Sequence, residues 1–286
     1  MDIKLVGCVI LYNPDNSVIG NIKTYIDYVD KLYIVDNCNG NNIFKILLKD
    51  YRGKVEYIKN NENMGIAQPL NQVLRLSEND YTFLLTMDQD SYFKNKSAEN
   101  YRYIVNDFNW NETLGLSPII LDKNNKIIKD INSYVVITSG NLVNIKNAIK
   151  IGLYDENLFI DEVDHEFCYR GYINGYKSHK LNISNDIFLK HNLGNPKIIK
   201  IFTKNYQIMN YNYVRTYYII RNKLYVYFKY HSLNERNFYY NYIYVIFRLV
   251  VSKIFFEDDK IRKIKSIYLG VKDYVNKNMG KKEFKY

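Results

Sequence analysis

From Lys4 to Asp90 the sequence alternates short apolar runs with helical patterns, and this alternation constrains the fold more than any other feature. Lys4–Leu11 has the near-continuous apolar character of a strand buried on both faces. Asn16 or Ser17 can then cap a helix whose apolar residues Ile19, Ile22, Ile26 and Val29 recur at spacings of three and four. Leu32–Val35 reads as a second strand, Ile43–Leu48 as a short helix and Val55–Ile58 as a third strand. Asn63 precedes a helix carrying Ile66, Leu70, Val73 and Leu74, and Tyr81–Met87 is a fourth strand. Repeated strand–helix units predict an α/β fold with a parallel sheet and helices on both faces. Such sheets bind ligands beyond the carboxyl ends of their strands.

Those ends are where polar residues collect. The first strand runs into Tyr12-Asn13-Pro14, the second into Asp36-Asn37, the third into Asn60 to Gly65, and the fourth into Asp88-Gln89-Asp90-Ser91. Two carboxylates two residues apart, on chain leaving a strand, can both face a hard divalent cation such as Mg²⁺ or Mn²⁺. Beyond Ser91 the alternation weakens. Leu114–Leu121 and Lys126–Thr138 read as strands, Ser139-Gly140 opens another at Asn141–Ile145, Asp161–Asn174 is helical, and Lys180–Lys190 is extended and leads to His191 and Asn192-Leu193-Gly194. Asp161, Glu162, Asp164 and Glu166 crowd the mouth of that helix. The helix dipole explains part of this crowding, and a carboxylate there can also serve as a general base toward an alcohol.

Several functional classes are disfavoured. The first strand is not followed by Gly-x-Gly-x-x-Gly, and neither a Gly-Lys-Ser/Thr phosphate loop nor a Gly-x-Ser-x-Gly elbow occurs. Three cysteines without paired spacing suggest neither a disulfide framework nor a zinc knuckle. The N-terminal residues lack a secretory signal pattern, so a cytoplasmic chain is expected. Phe238–Phe256 is the most apolar stretch, but Arg248 and Lys253 make it a poor spanning helix.

The ordered set of motifs resembles family 2 glycosyltransferases, which have the GT-A fold. The matching segments are Val9–Pro14, Val35-Asp36-Asn37, Asn63–Ala67 with Asn71, Asp88-Gln89-Asp90-Ser91, Ser139-Gly140, Leu158–Asp164 and His191. Met-Asp-Gln-Asp-Ser, with Phe-Ile-Asp-Glu-Val-Asp later, is most similar to the bacterial rhamnosyltransferase branch. The match continues into Tyr217–Asn222 and Gly270–Asp273.

The resemblance implies a nucleotide-diphosphate sugar donor, with dTDP or UDP as its nucleotide, and Mg²⁺ or Mn²⁺ as cofactor. It implies that Tyr12, Asn13 and Asp36 line the nucleotide pocket, with Asn63 and Gly65 beside it, and that Gln89, Ser139 and Gly140 belong to the substrate site. Asp88 and Asp90 would face the metal, with His191 as a further ligand. Asp164 takes the place of the family's catalytic base, with Asp161 as the alternative; the family's usual Glu-Asp pair is here Val163-Asp164. The implied reaction is an inverting transfer, with L-rhamnose from its dTDP donor as the expected sugar, onto a cell-surface glycan. A UDP-hexose or galactofuranose donor, or a catalytically silent membrane-associated scaffold, are the alternatives.

Charge divides the chain. The net charge is +10, yet residues 1–196 carry 21 basic and 24 acidic side chains, while residues 197–286 carry 19 and 6. Fifteen of the 30 tyrosines share that basic tail. We therefore expect a GT-A domain over 1–196 and a basic, tyrosine-rich helical extension over 197–286. Lys/Arg on phosphates, including Arg262, Lys263 and Lys265, with Tyr at headgroup depth would suit an anionic membrane surface. The resemblance adds a polyprenyl-diphosphate-linked acceptor and a peripheral location on the inner face of the cell membrane. The tail has no recognisable RNA-binding motif, which disfavours nucleic acid. A homodimer is left open.

Overall fold

The computed structural model describes residues 3–38, 44–128, 135–191, 197–201, 204–231 and 236–284. Ile43, residues 129–134 of the expected Lys126–Thr138 strand, Asn192-Leu193-Gly194 and Pro196 lie outside the described residues. The chain forms two compact units, Met1–Asp155 with Asp164–Asn192, and Glu156–Val163 with Leu193–Tyr286.

The first unit is built on a mixed, mainly parallel seven-stranded sheet. Strands β1 (Leu5–Leu11), β2 (Lys31–Asp36), β3 (Val55–Lys59) and β4 (Phe83–Asp88) are mutually parallel in the order β3-β2-β1-β4. Helices α1 (Ser17–Lys23), α2 (Phe44–Asp50) and α3 (Ala67–Ser77) make the crossovers. Helix α3 buries Leu70, Val73 and Leu74 at the expected spacing, but the first helix is shorter than expected: α1 ends at Lys23 and buries Val18 and Ile22, Ile26 sits in a separate 3₁₀ turn, and Val29 is already extended. The strands alternate faces, and because both are covered, β1 and β4 are buried almost throughout.

The sheet then changes direction. After β5 (Tyr92–Phe93) and α4 (Ser97–Ile104), the Leu114–Leu121 run becomes two strands, β6 (Thr113–Ser117) and β7 (Ile119–Leu121), in different sheets. Pro118 separates them because it has no N–H for a ladder. β8 (Asn141–Asn144) is antiparallel to β4 and β6, and leads into α5 (Ile145–Lys150). Helix α6 (Val163–Ile173) starts two residues later than expected, because Asp161 and Glu162 are both left-handed, with φ of 63° and 65°. β9 (Lys177–Lys180) pairs with β6. A 3₁₀ turn at Ile183–Asn185 interrupts the expected extended segment before β10 (Phe188–Lys190). β10 sits between β5, to which it is antiparallel, and β7, to which it is parallel.

The second unit contains the hairpin β11 (Lys197–Ile201) and β12 (Lys204–Ile208), then α7 (Tyr213–Tyr230), α8 (Arg236–Phe255) and α9 (Lys260–Val275). Arg221 is wholly buried, its guanidinium 5.1 Å from the ring centres of both Tyr217 and Tyr218, with Nη1 donating to the Gly280 carbonyl at 2.8 Å. The segment Glu156–Val163 packs on α7. Phe159 stacks on Tyr218 at 5.1 Å, and the Asn222 amide donates to the carbonyls of Ile160 (2.7 Å) and Asp161 (3.1 Å). Lys263, expected on the basic surface, is instead buried, donating to Glu257 and to the Asn210 side chain, both at 2.9 Å. Lys253 is also buried beside Glu257, and burial pushes its ammonium pKa down.

Candidate active site

The carboxyl ends of β1 to β4 carry the expected residues. β4 ends at Asp88, and the next turn presents Asp90. The third member arrives by strand register. Lys190 pairs with Tyr92 and Leu189 with Phe93, so the next position in this antiparallel ladder sets His191 opposite Ser91. The His191 backbone N–H also donates to the Leu121 carbonyl at 3.1 Å. His191 Nδ1 lies 2.7 Å from Ser91 Oγ, 3.7 Å from Asp90 Oδ1 and 3.8 Å from Asp88 Oδ2.

Asp88, Asp90 and His191 each offer one ligand atom within 4.8 Å of the others. Two carboxylates and an imidazole, half-buried or exposed at a strand end, suit a hard divalent cation that keeps open positions for water and phosphate oxygens. In the sequence Ser91 is only the last residue of the Asp88–Ser91 motif; its contact with His191 depends on the non-local β5–β10 pairing.

Gln89, between the two aspartates, turns toward β1. Its side-chain amide accepts from the Tyr12 N–H at 2.8 Å and donates to the Tyr12 carbonyl at 3.1 Å, extending the β1–β4 pairing by one step. The Asn21 amide donates to the Gln89 carbonyl at 2.9 Å. This tether fixes the turn in which Asn13 adopts φ of 48° and the Tyr12 side chain stands half-exposed.

The loops after β2 and β3 are tied together by a residue that motif reading left without a role. Asn37 is buried; its amide donates to the Gly65 carbonyl at 2.7 Å, and its oxygen accepts from the Asn60 amide at 2.8 Å. Asn63 accepts from the Gly65 N–H at 2.9 Å, and Gly65 has φ of 75°, which a side chain would disfavour. Asp36 is buried, with one oxygen accepting from the Cys38 N–H at 2.8 Å and the other from the Tyr57 hydroxyl at 2.6 Å. Burial first, and then the bond to Asp36, push the Tyr57 pKa up.

Ser139 and Gly140 precede β8. Gly140 donates to the Thr86 carbonyl at 2.8 Å, and Ser139 Oγ lies 3.5 Å from the Asp88 nitrogen. A Cβ at Gly140, whose φ is 74°, would meet Leu189 of β10 and the Pro118 ring between β6 and β7, both at 2.9 Å, so glycine is required for their close approach.

The acidic run divides by its partners. In the second unit Asp161 pairs with Arg215 at 3.0 Å and Glu162 with Lys223. Burial raises the Asp161 pKa against the pull of Arg215. In the first unit Glu166 forms a two-point pair with Arg170, at 2.9 and 2.7 Å. Asp164 has no Lys or Arg partner among the described residues. Its Oδ1 accepts from the backbone N–H of His165 at 2.9 Å and lies 2.9 Å from the His165 ring nitrogen Nδ1. Burial alone would raise its pKa; the charge and hydrogen bonds of His165 outweigh that and hold it below the usual carboxylate range.

A cavity of about 450 Å³ lined by Ile3, Lys4, Asp30, Asp80, Tyr81 and Arg102 lies at the amino ends of the strands and contains none of these residues. No helix among the described residues is long and apolar enough to cross a membrane.

Known proteins resemble this chain in sequence and in fold. The family model described as Glycosyl transferase family 2 matches residues 8–132. A dTDP-rhamnosyl transferase, RfbF of Shigella flexneri, is 30% identical, the match covering 78% of this chain and 79% of the relative. Among solved structures, S. aureus TarS 1-349 in complex with UDP-GlcNAc is similar at a TM-score of 0.57 and 13% identity, over 96% of this chain and 81% of that one. The mannosyltransferase PcManGT of Pyrobaculum calidifontis, in complex with GDP-Man and Mn²⁺, is similar at 0.55 and 9% identity, over 94% and 73%.

Proposed function

The chain belongs to glycosyltransferase family 2, and from that premise we propose that it transfers L-rhamnose from dTDP-rhamnose to a hydroxyl of a lipid-linked glycan, inverting the anomeric carbon. The observation that carries the reading is the Asp88–Asp90–His191 cluster at the sheet's carboxyl edge, in a chain whose curated relative is a dTDP-rhamnosyl transferase. The tether at Gln89 and the Asn37 knot support a preformed nucleotide cradle from Tyr12, Asn13, Asp36, Asn63 and Gly65, since a ligand that meets ordered loops does not lose affinity to ordering them.

Asp88, Asp90 and His191 would hold Mg²⁺ or Mn²⁺, which supplies Lewis-acid neutralisation of the charge developing on the departing diphosphate. Ser91 orients the His191 ring. Asp164 takes the acceptor hydroxyl proton as the new C–O bond forms; the bond from the anomeric carbon to the diphosphate oxygen breaks, and its electron pair leaves with the nucleoside diphosphate. Asp164 suits this task better than Asp161, because the Asp161 carboxylate is already held by Arg215. A polyprenyl-diphosphate anchor on the acceptor and peripheral attachment to the inner membrane face fit the basic tail.

The test is release of dTDP from dTDP-rhamnose with and without Mg²⁺ or Mn²⁺. We expect metal-dependent release that Asp90→Ala abolishes. Metal-dependent release that survives Asp90→Ala would refute the metal assignment, and no release or transfer under any metal would refute the function.

A further inference from the structure

Helix α9 is inside out. Its buried positions are Lys263, Ser266, Gly270 and Asp273, and its exposed ones include Ile261, Ile264, Tyr268, Val271 and Val275. Both sets recur at spacings of three and four, so each forms one stripe, on opposite faces of the helix. An ordinary surface helix places these two sets the other way round.

The orientation is pinned. A Cβ at Gly270 would come within 3.0 Å of the Tyr217 carbonyl and 3.3 Å of the Arg221 nitrogen, so α7 and α9 touch backbone to backbone there. Asp273 accepts from the Tyr217 hydroxyl at 2.7 Å and pairs with Lys282 at 2.8 Å. Lys263 is held by Glu257. Turning the apolar stripe inward would break this buried polar set, and unpaired buried charges are costly.

The stripe is 42 to 73% exposed at its five positions. Lys265 and Lys272 flank it on one side and Lys260 on the other, and all three are exposed. The exposed positions of α9 include no acidic residue, and α8 contains none at all. On α8, Ile243, Tyr244, Val245 and Phe247 are exposed too.

We propose that the apolar stripe of α9 is the surface by which this unit docks on an anionic lipid bilayer. The helix lies in the interface plane with Ile261, Ile264, Val271 and Val275 at acyl depth, Tyr268 among the headgroups, and Lys260, Lys265 and Lys272 on lipid phosphates. A second copy of the chain fits less well. Pairing two such seams would set these lysines against their own counterparts, where coiled coils place opposite charges. The proposal rests on the lipid-linked acceptor for its purpose, but not for its test.

The test is co-sedimentation of the full chain with phosphatidylglycerol/phosphatidylcholine vesicles. We expect binding that falls at least about tenfold for Ile264→Glu/Val271→Glu. It should fall less for Lys265→Gln/Lys272→Gln, whose residual binding should respond less to salt. Val271→Trp, which adds apolar area without adding charge, should bind more tightly. Release of dTDP from dTDP-rhamnose should be unchanged in all three variants; its absence from every protein, wild type included, would refute the proposed function and leave the vesicle result standing. Equal vesicle binding by wild type and the glutamate variant would overturn the docking surface. So would a solution dimer that the same variant dissociates, which would assign the stripe to a second copy.

Discussion

Replacing Gln89 by alanine removes the two hydrogen bonds that join the Asp88–Asp90 turn to the Tyr12 peptide. Each is worth about 0.5–1.5 kcal/mol, and solvent access places both toward the lower half of that range. The tether thus contributes about 1–2 kcal/mol to the order of the Tyr12–Asn13 turn, which corresponds to about a 5–30-fold change in an equilibrium constant. Asp88, Asp90 and His191 are positioned by β4 and by the β5–β10 register, neither of which the substitution touches. Steady-state assays should therefore show the donor KM rising about 5–30-fold in Gln89→Ala, while the concentration of Mn²⁺ giving half-maximal rate moves by less than about twofold. Gln89→Glu should fall between, because its carboxylate can still accept from the Tyr12 N–H but cannot donate to the carbonyl. An unchanged donor KM, or a loss of metal response with donor affinity intact, would refute the reasoning.

Other expectations can be checked alongside. Asp164→Asn should lower kcat by about 10²–10⁴-fold, whereas Asp161→Asn should act mainly by weakening its pair with Arg215. The pH profile separates the two carboxylates. A base held below the usual carboxylate range stays ionised as pH falls, so with Asp164 the acid limb of kcat/KM lies below the ordinary aspartate range. With Asp161 as base, whose pKa burial raises, the limb would lie above it. Asn222→Ala should destabilise the protein by about 1–3 kcal/mol in denaturant unfolding, because the Ile160 and Asp161 carbonyls lose the amide donor.

The sheet was legible because β1 to β4 and the intervening helices each carry a local period, and because a parallel sheet concentrates polar residues at one edge. Asp88 and Asp90 could be placed from that edge alone. His191 could not: it reaches them through the pairing of two short strands about a hundred residues apart in sequence, a non-local contact that leaves no periodic trace. The Asn37 knot was equally hidden, since an asparagine after a strand reads as an ordinary turn residue. Charge counting placed the basic excess in the tail but could not distinguish Lys263, buried against Glu257, from Lys265 on the exposed side of the same helix. The inverted α9 arose from the same limit, because a period shows that a stripe exists and not which way it faces.

Competition between nucleotide sugars tests the central claim most directly. Equal concentrations of dTDP-rhamnose, UDP-glucose and UDP-galactofuranose would be supplied with Mn²⁺ and a lipid-linked glycan acceptor, and the product mass measured. The expected product gains one deoxyhexose, and its formation is lost in Asp90→Ala and Asp164→Asn. A product that gains a hexose instead, or rhamnose transfer that survives both substitutions, would contradict it.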